Sequence, residues 1–144
     1  MENKYFTPDK EDVSIGMEYY YLRKNNEFIL FNLTEKDFRA PEWIESLTGR
    51  KQSIFTYLQE GKIKVAYLTK EQIEAEGWKF IKHHAEIEGY EFEKDEYSLY
   101  VEFDFRGEIY LKIYSDGYYE EFNYFSGKCK DINTFRKICK LLEI

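Results

Sequence analysis

The chain has 144 residues with a net charge of −7 and a pI near 5.0, which fits one ordinary domain and argues against non-specific attraction to a phosphate backbone. Hydrophobic residues at 43% and aromatics at 19% exclude disorder and supply large rings for a core. No apolar run reaches 18 residues, Met1–Lys10 lacks the apolar stretch of a secretory signal, and two cysteines make no disulfide framework, so a cytoplasmic protein without a membrane span is expected.

In chain order, residues 1–14 read as a loose polar arm, followed by a hairpin-rich stretch over 15–82. Met17–Lys24 and Glu27–Leu33 form a predicted hairpin around Asn25-Asn26, because asparagine tolerates positive φ. That register sets Leu22 against Ile29, Tyr20 against Phe31 and Tyr21 against Leu30. Pro41 to Thr48 predicts a short helix with Gly49 as its stop. Ser53–Gln59 and Lys62–Leu68 predict a second hairpin around Glu60-Gly61. A helix over 53–60, capped by Ser53 and ended by Gly61, is the alternative, since a short apolar run fits either period. Thr69-Lys70-Glu71-Gln72 has the spacing of a capping box, so a helix runs from Thr69 to Glu76 and stops at Gly77. Residues 83–96 read as an acidic loop.

The last third, 97–144, predicts a three-stranded meander and a helix. Tyr97–Phe105 alternates, with Tyr97, Leu99, Val101, Phe103 and Phe105 on one side. Glu108–Tyr114 repeats the pattern with Ile109, Leu111 and Ile113 inside. Parity requires an odd-numbered turn between them, at 105–107 or 106–108; the second choice sets Glu102 across from Lys112. Asp116-Gly117 predicts a two-residue turn that pairs Leu111 with Phe122, Ile109 with Tyr124 and Lys112 with Glu121. Asp131 caps a helix to about Leu142, with Ile132, Phe135, Ile138, Cys139 and Leu142 on one face. The expected fold class is α+β: antiparallel hairpins followed by a meander packed on a C-terminal helix, as one compact domain.

Charge is unevenly spread. Residues 86–108 hold nine acids and two bases, a net −7 that equals the excess of the whole chain. Glu91, Glu93, Asp95 and Glu96 lie in the acidic loop. Tyr100, Glu102, Asp104, Tyr110, Tyr114 and Tyr119 lie on the polar side of the meander. Rigid amphipathic rings among carboxylates suit docking on a basic protein surface. The competing reading is that the first half of the chain packs over this side and the tyrosines are core.

Catalytic constellations are wanting. His83-His84 diverge on a strand and lie about 100° apart on a helix, and no CxxC, HExxH or EF-hand loop occurs, so neither a metal nor another cofactor is expected. Cys129, between Lys128 and Lys130, has no positioned base. Glu102 and Asp104 share a strand side and could mimic a paired acid site, but read as surface. The expectation is a non-enzymatic protein. Lys128, Lys130, Arg136, Lys137 and Lys140 form a basic cluster whose alternative use is contact with a nucleic-acid backbone.

Leu68 to Trp78, the Tyr97–Phe105 and Ile109–Tyr114 strands, Phe125-Ser126-Gly127-Lys128 and the closing Ile132–Ile144 segment together resemble small uncharacterised proteins of phages and mobile elements from Bacteroidota-type bacteria. The likeness covers the last half, and the N-terminal half departs from it. The resemblance implies a phage-like context inside a bacterial host cell, where small acidic proteins inhibit host defence. The expected function is therefore an anti-CRISPR-like inhibitor that docks on a nuclease or ribonucleoprotein.

Overall fold

Among the described residues, alternation and helical spacing resolve into an α+β fold with two antiparallel sheets and three α-helices. The computed structural model describes residues 4–35, 53–104, 106–117 and 119–144, so the expected helix over 41–48 lies outside the described residues. The chain divides into two compact units, Met1–Tyr67 and Leu68–Ile144.

In the first unit, β1 (Tyr5–Phe6), β2 (Glu18–Leu22), β3 (Phe28–Asn32) and β4 (Ile63–Ala66) form a sheet in the order β1-β4-β2-β3. The expected polar arm is thus part strand: Tyr5 pairs with Ala66 and Phe6 with Val65. Its rings explain the capture, since Tyr5 stacks on Phe28 at 4.3 Å and Phe6 meets Tyr67 at 4.9 Å. The β2–β3 register is one residue off the expected one, with Tyr21 opposite Ile29 and Tyr19 opposite Phe31. Arg23 N–H donates to the Glu27 carbonyl at 2.9 Å, closing a three-residue turn in which Asn26 takes φ +63°. The extra turn residue carries Tyr19 and Tyr21 into the core beside Met17 and Leu33.

Residues Ile54–Gln59 are helix α1, not a strand. Ile54, Tyr57 and Leu58 recur at helical spacing and are all buried, while Gly61 at φ +71° ends the helix. A strand would put Ile54 and Leu58 on one side and Tyr57 on the other, and burial of all three on one helical stripe decides for the helix.

In the second unit, helix α2 (Lys70–Ala75) has the full capping box, with Thr69 Oγ1 accepting from the Gln72 N–H and Gln72 Oε1 from the Thr69 N–H. Five strands follow in chain order as a continuous meander: β5 (Lys79–His84), β6 (Gly89–Lys94), β7 (Tyr97–Phe103), β8 (Ile109–Asp116) and β9 (Glu121–Lys128). The stretch expected as an acidic loop is therefore mostly the β5–β6 hairpin. Tyr90 and Phe92 alternate with Glu91 and Glu93, a strand pattern masked by the density of acids.

The β7–β8 register is the first of the two expected: Phe103 pairs with Ile109 and Glu102 with Tyr110, and Asp104 N–H donates to Glu108 at 2.8 Å. The β8–β9 register differs from expectation. Gly117 N–H donates to the Glu120 carbonyl at 2.8 Å, and the strands run out to Asp116 and Glu121. A bulge at Ile113/Tyr114 then resets parity, so Phe125 opposes Ile113, while Phe122 and Tyr124 are 53% and 43% exposed.

Helix α3 (Ile132–Leu141) begins at Asp131, whose carboxylate accepts from the Thr134 N–H at 3.0 Å. Ile132 and Phe135 are buried with Phe92, Leu99, Val101, Ile109, Leu111 and Ile113, and the Phe135 ring lies 6.2 Å from that of Trp78. Ile138, Cys139 and Leu142 are half-buried on the same helix. Among the described residues, no helix is long and apolar enough to cross a membrane.

Candidate functional site

Burial of Phe92, Leu99, Val101, Ile109, Leu111 and Ile113 fixes what the second sheet turns the other way. Strand alternation puts Glu91 and Glu93 of β6, Tyr100 and Glu102 of β7, and Tyr110, Lys112 and Tyr114 of β8 on one face. Across the strands Glu91 pairs with Tyr100, Tyr100 with Lys112, and Glu102 with Tyr110. Six of the ten expected docking residues therefore share a face. Tyr110 is 37% exposed, and Tyr100 and Tyr114 are half-buried among their neighbours.

The other four lie off this face. Asp95 and Glu96 form the β6–β7 turn, where Asp95 takes φ +54°. Tyr119, 94% exposed, is in the β8–β9 turn at the same end of the sheet. Asp104 folds back on its own loop, where Oδ1 accepts from the Arg106 N–H at 3.0 Å.

The first strand of this sheet adds groups the acidic-loop expectation left out. Lys79 pairs with Glu93 and Lys82 with Glu91. His84 Nε2 lies 3.3 Å from Glu91 Oε1, and its ring meets Tyr100 edge-on at 6.2 Å. Gly89 lies beside them, and a Cβ there would crowd the Tyr100 hydroxyl and ring so that the tyrosine would have to shift. A recognised period of two over 89–94 would have revealed the hairpin and these partners.

Carboxylates set the electrostatics. The Tyr110 hydroxyl donates to Glu108 at 2.6 Å, and Lys128 donates to the same carboxylate at 3.0 Å. Those two hydrogen bonds hold Glu108 below the usual carboxylate range, and Glu108 in turn raises Tyr110. Burial, then Glu102 and Glu91, raise Tyr100; burial, then Glu91, Asp116 and Glu121, raise Tyr114. The phenols therefore stay neutral donors well above physiological pH. Lys112 is tied to Glu121 by an ion pair. The face carries Glu91, Glu93, Glu102, Glu108, Asp116 and Glu121 against Lys79, Lys82, Lys112 and Lys128, so its balance is negative but mixed.

The basic cluster is divided. Lys128 lies on the tyrosine face, 5.7 Å over the Tyr110 ring. Arg136, Lys137 and Lys140 ride on α3, which packs against the opposite face, and Arg136 Nε donates to Glu76 at 2.6 Å. Lys130 is exposed in the β9–α3 connection.

His83 stacks on Tyr90 at 4.4 Å, pointing away from His84. Among the described residues, no group of three or more His, Cys, Asp or Glu side chains is placed to hold a metal ion. Cys129 is 1% exposed, and burial pushes its thiol up to about 12. Alkylation of the native protein at pH 8 is expected to label half-buried Cys139 first and Cys129 only on unfolding, as peptide mass mapping will report. The unfolded thiol loses its proton near pH 8.5, before the native one, so stability is expected to fall as pH climbs from about 9 toward 12. Equal labelling of both cysteines in the native state would refute this.

Comparison with known protein families, with curated proteins and with solved structures finds no match for the chain.

Proposed function

We propose that this protein is a non-enzymatic binding protein that presents the tyrosine–carboxylate face of its second sheet to a basic protein surface. The observation that carries the reading is the placement of Glu91, Glu93, Tyr100, Glu102, Tyr110 and Tyr114 on one sheet face whose reverse side is core. A rigid sheet fixes the carboxylates at strand spacing, and the phenols add apolar area with little ordering cost. Such a surface competes for the kind of basic groove that binds nucleic acid. A host-defence nuclease is the partner class we assign, in line with the phage-like context of the sequence resemblance.

The test uses fluorescence anisotropy with two labelled probes, an arginine-rich decapeptide and a single-stranded DNA, each at low and physiological salt. The expected result is salt-sensitive binding of the peptide and none of the DNA. Retention of the DNA with no binding of the peptide would overturn the reading and favour the basic residues of α3 as a nucleic-acid contact.

A further inference from the structure

The second sheet ends on two edge strands, β5 and β9, and their sequences treat the edge differently. β5 carries Lys79 and Lys82, and a bulge between Phe80 and Lys82 interrupts its ladder. Lysines and bulges are the ordinary devices that keep an edge from pairing. β9 has no charged residue from Phe122 to Gly127. Its own bulge falls on the β8 side and leaves Tyr124 without a β8 partner. Among the described residues, no further strand pairs with the outer edge of β9. Its rings are also uncovered. Phe122 stands opposite Ser115, and the Tyr124 hydroxyl lies 3.1 Å from the Ser115 hydroxyl. The Tyr124 ring meets Tyr97 at 5.2 Å. Phe122 and Tyr124 thus extend the core side of the sheet to its edge, where both remain exposed.

The charges at the two ends of β9 say what fits beside it. The strand starts after Glu120 with Glu121, and it ends on Lys128, followed shortly by Lys130. Glu121 is ion-paired with Lys112 and Lys128 with Glu108, yet the Glu121 and Lys128 side chains remain 43% and 64% exposed. A second β9 laid antiparallel sets the acidic start of each strand beside the basic end of the other. A parallel arrangement sets acid beside acid and base beside base. The edge is therefore electrostatically complementary to its own copy in the one direction that a closed two-fold allows.

We propose that β9 pairs antiparallel with β9 of a second copy of this chain, about a two-fold axis through the middle of the strand and perpendicular to the sheet. Such an axis keeps the core side of both copies on the same side, so Phe122 and Tyr124 of one copy join those of the other. The outer N–H and C=O groups gain strand partners. The free edges of the joined sheet are then the two β5 strands with their lysines and bulges, so growth stops at a dimer. This pairing uses the edge of the sheet and stands without the proposed docking face.

The test is sedimentation velocity on the full chain from about 5 to 500 μM. The expected result is a concentration-dependent shift from 17.6 kDa to twice that mass. Phe122→Lys, Glu121→Lys and Lys128→Glu are each expected to weaken the dimer about tenfold or more, because the two-fold repeats every change. An equimolar mixture of Glu121→Lys with Lys128→Glu is expected to restore it, since opposite charges again meet at both ends. The two charge variants are surface changes and carry the test should Phe122→Lys fail to fold. A monomer at every concentration overturns the proposal and leaves the edge to a strand of another protein. A dimer untouched by the variants, or a mixture no tighter than its components, places the contact elsewhere and overturns it too. Species larger than a dimer overturn the closed two-fold.

Discussion

Phe135→Ala is expected to destabilise the second unit by about 3–5 kcal/mol, measured as the shift in urea midpoint followed by circular dichroism. Phe135 is 0% exposed, and its ring lies against Trp78. Helix α3 buries only two side chains fully, Ile132 and Phe135. Loss of the larger one leaves both a cavity and a helix attached mainly through Ile132 and the Asp131 cap. The control is Leu141→Ala on the outer side of the same helix, 84% exposed, which is expected to change stability by less than about 0.5 kcal/mol. If the two variants unfold alike, α3 does not cover the sheet.

The second large effect concerns binding. Glu91→Lys combined with Glu102→Lys is expected to weaken the arginine-rich probe by about tenfold to a hundredfold and to flatten its salt dependence. Each exposed charge contact is worth about 0.2–1 kcal/mol, and reversal turns each attraction into a repulsion of similar size. Both residues are on the solvent side of a sheet whose core is untouched by the change, so the thermal midpoint is expected to move by only a few degrees. Lys137→Glu, an exposed change on α3, serves as the comparison and is expected to leave binding of the probe intact. Loss of binding in Lys137→Glu with retention in the double variant would place the contact on the helix instead.

The elements that were legible from sequence are those whose signals agree at several levels. The Thr69–Gln72 capping box, the Gly77 stop, the alternation of Leu99 and Val101 with Tyr100 and Glu102, and the Asp131 cap all have the geometry that their spacing implies. The failures share a cause in turn chemistry and parity. One extra turn residue, Lys24, shifted the β2–β3 pairing, and one bulge at Ile113/Tyr114 exchanged Phe125 for Phe122 and Tyr124. Neither leaves a mark in hydrophobic alternation. Ile54 and Leu58 fit either period, and the burial of Tyr57 beside them decided for a helix. The acidic stretch hid a hairpin because its outward positions are carboxylates, and with it hid Lys79, Lys82 and His84.

The candidate face was legible for β7 and β8, whose parity fixed Tyr100, Glu102, Tyr110 and Tyr114 together. It was not legible at its margins, where Asp104 turns onto the Arg106 N–H and the lysines of β5 temper the acids.

The strand order of the two sheets has a consequence for how the chain reaches its fold. Every ladder of the five-stranded sheet joins sequence neighbours, so each loop closure spans a short contour and loses little chain entropy. The other sheet needs Tyr5 to find Ala66, a far longer excursion. Low contact order favours rapid assembly, so the meander can zip one hairpin after another while β1 still searches for its neighbour.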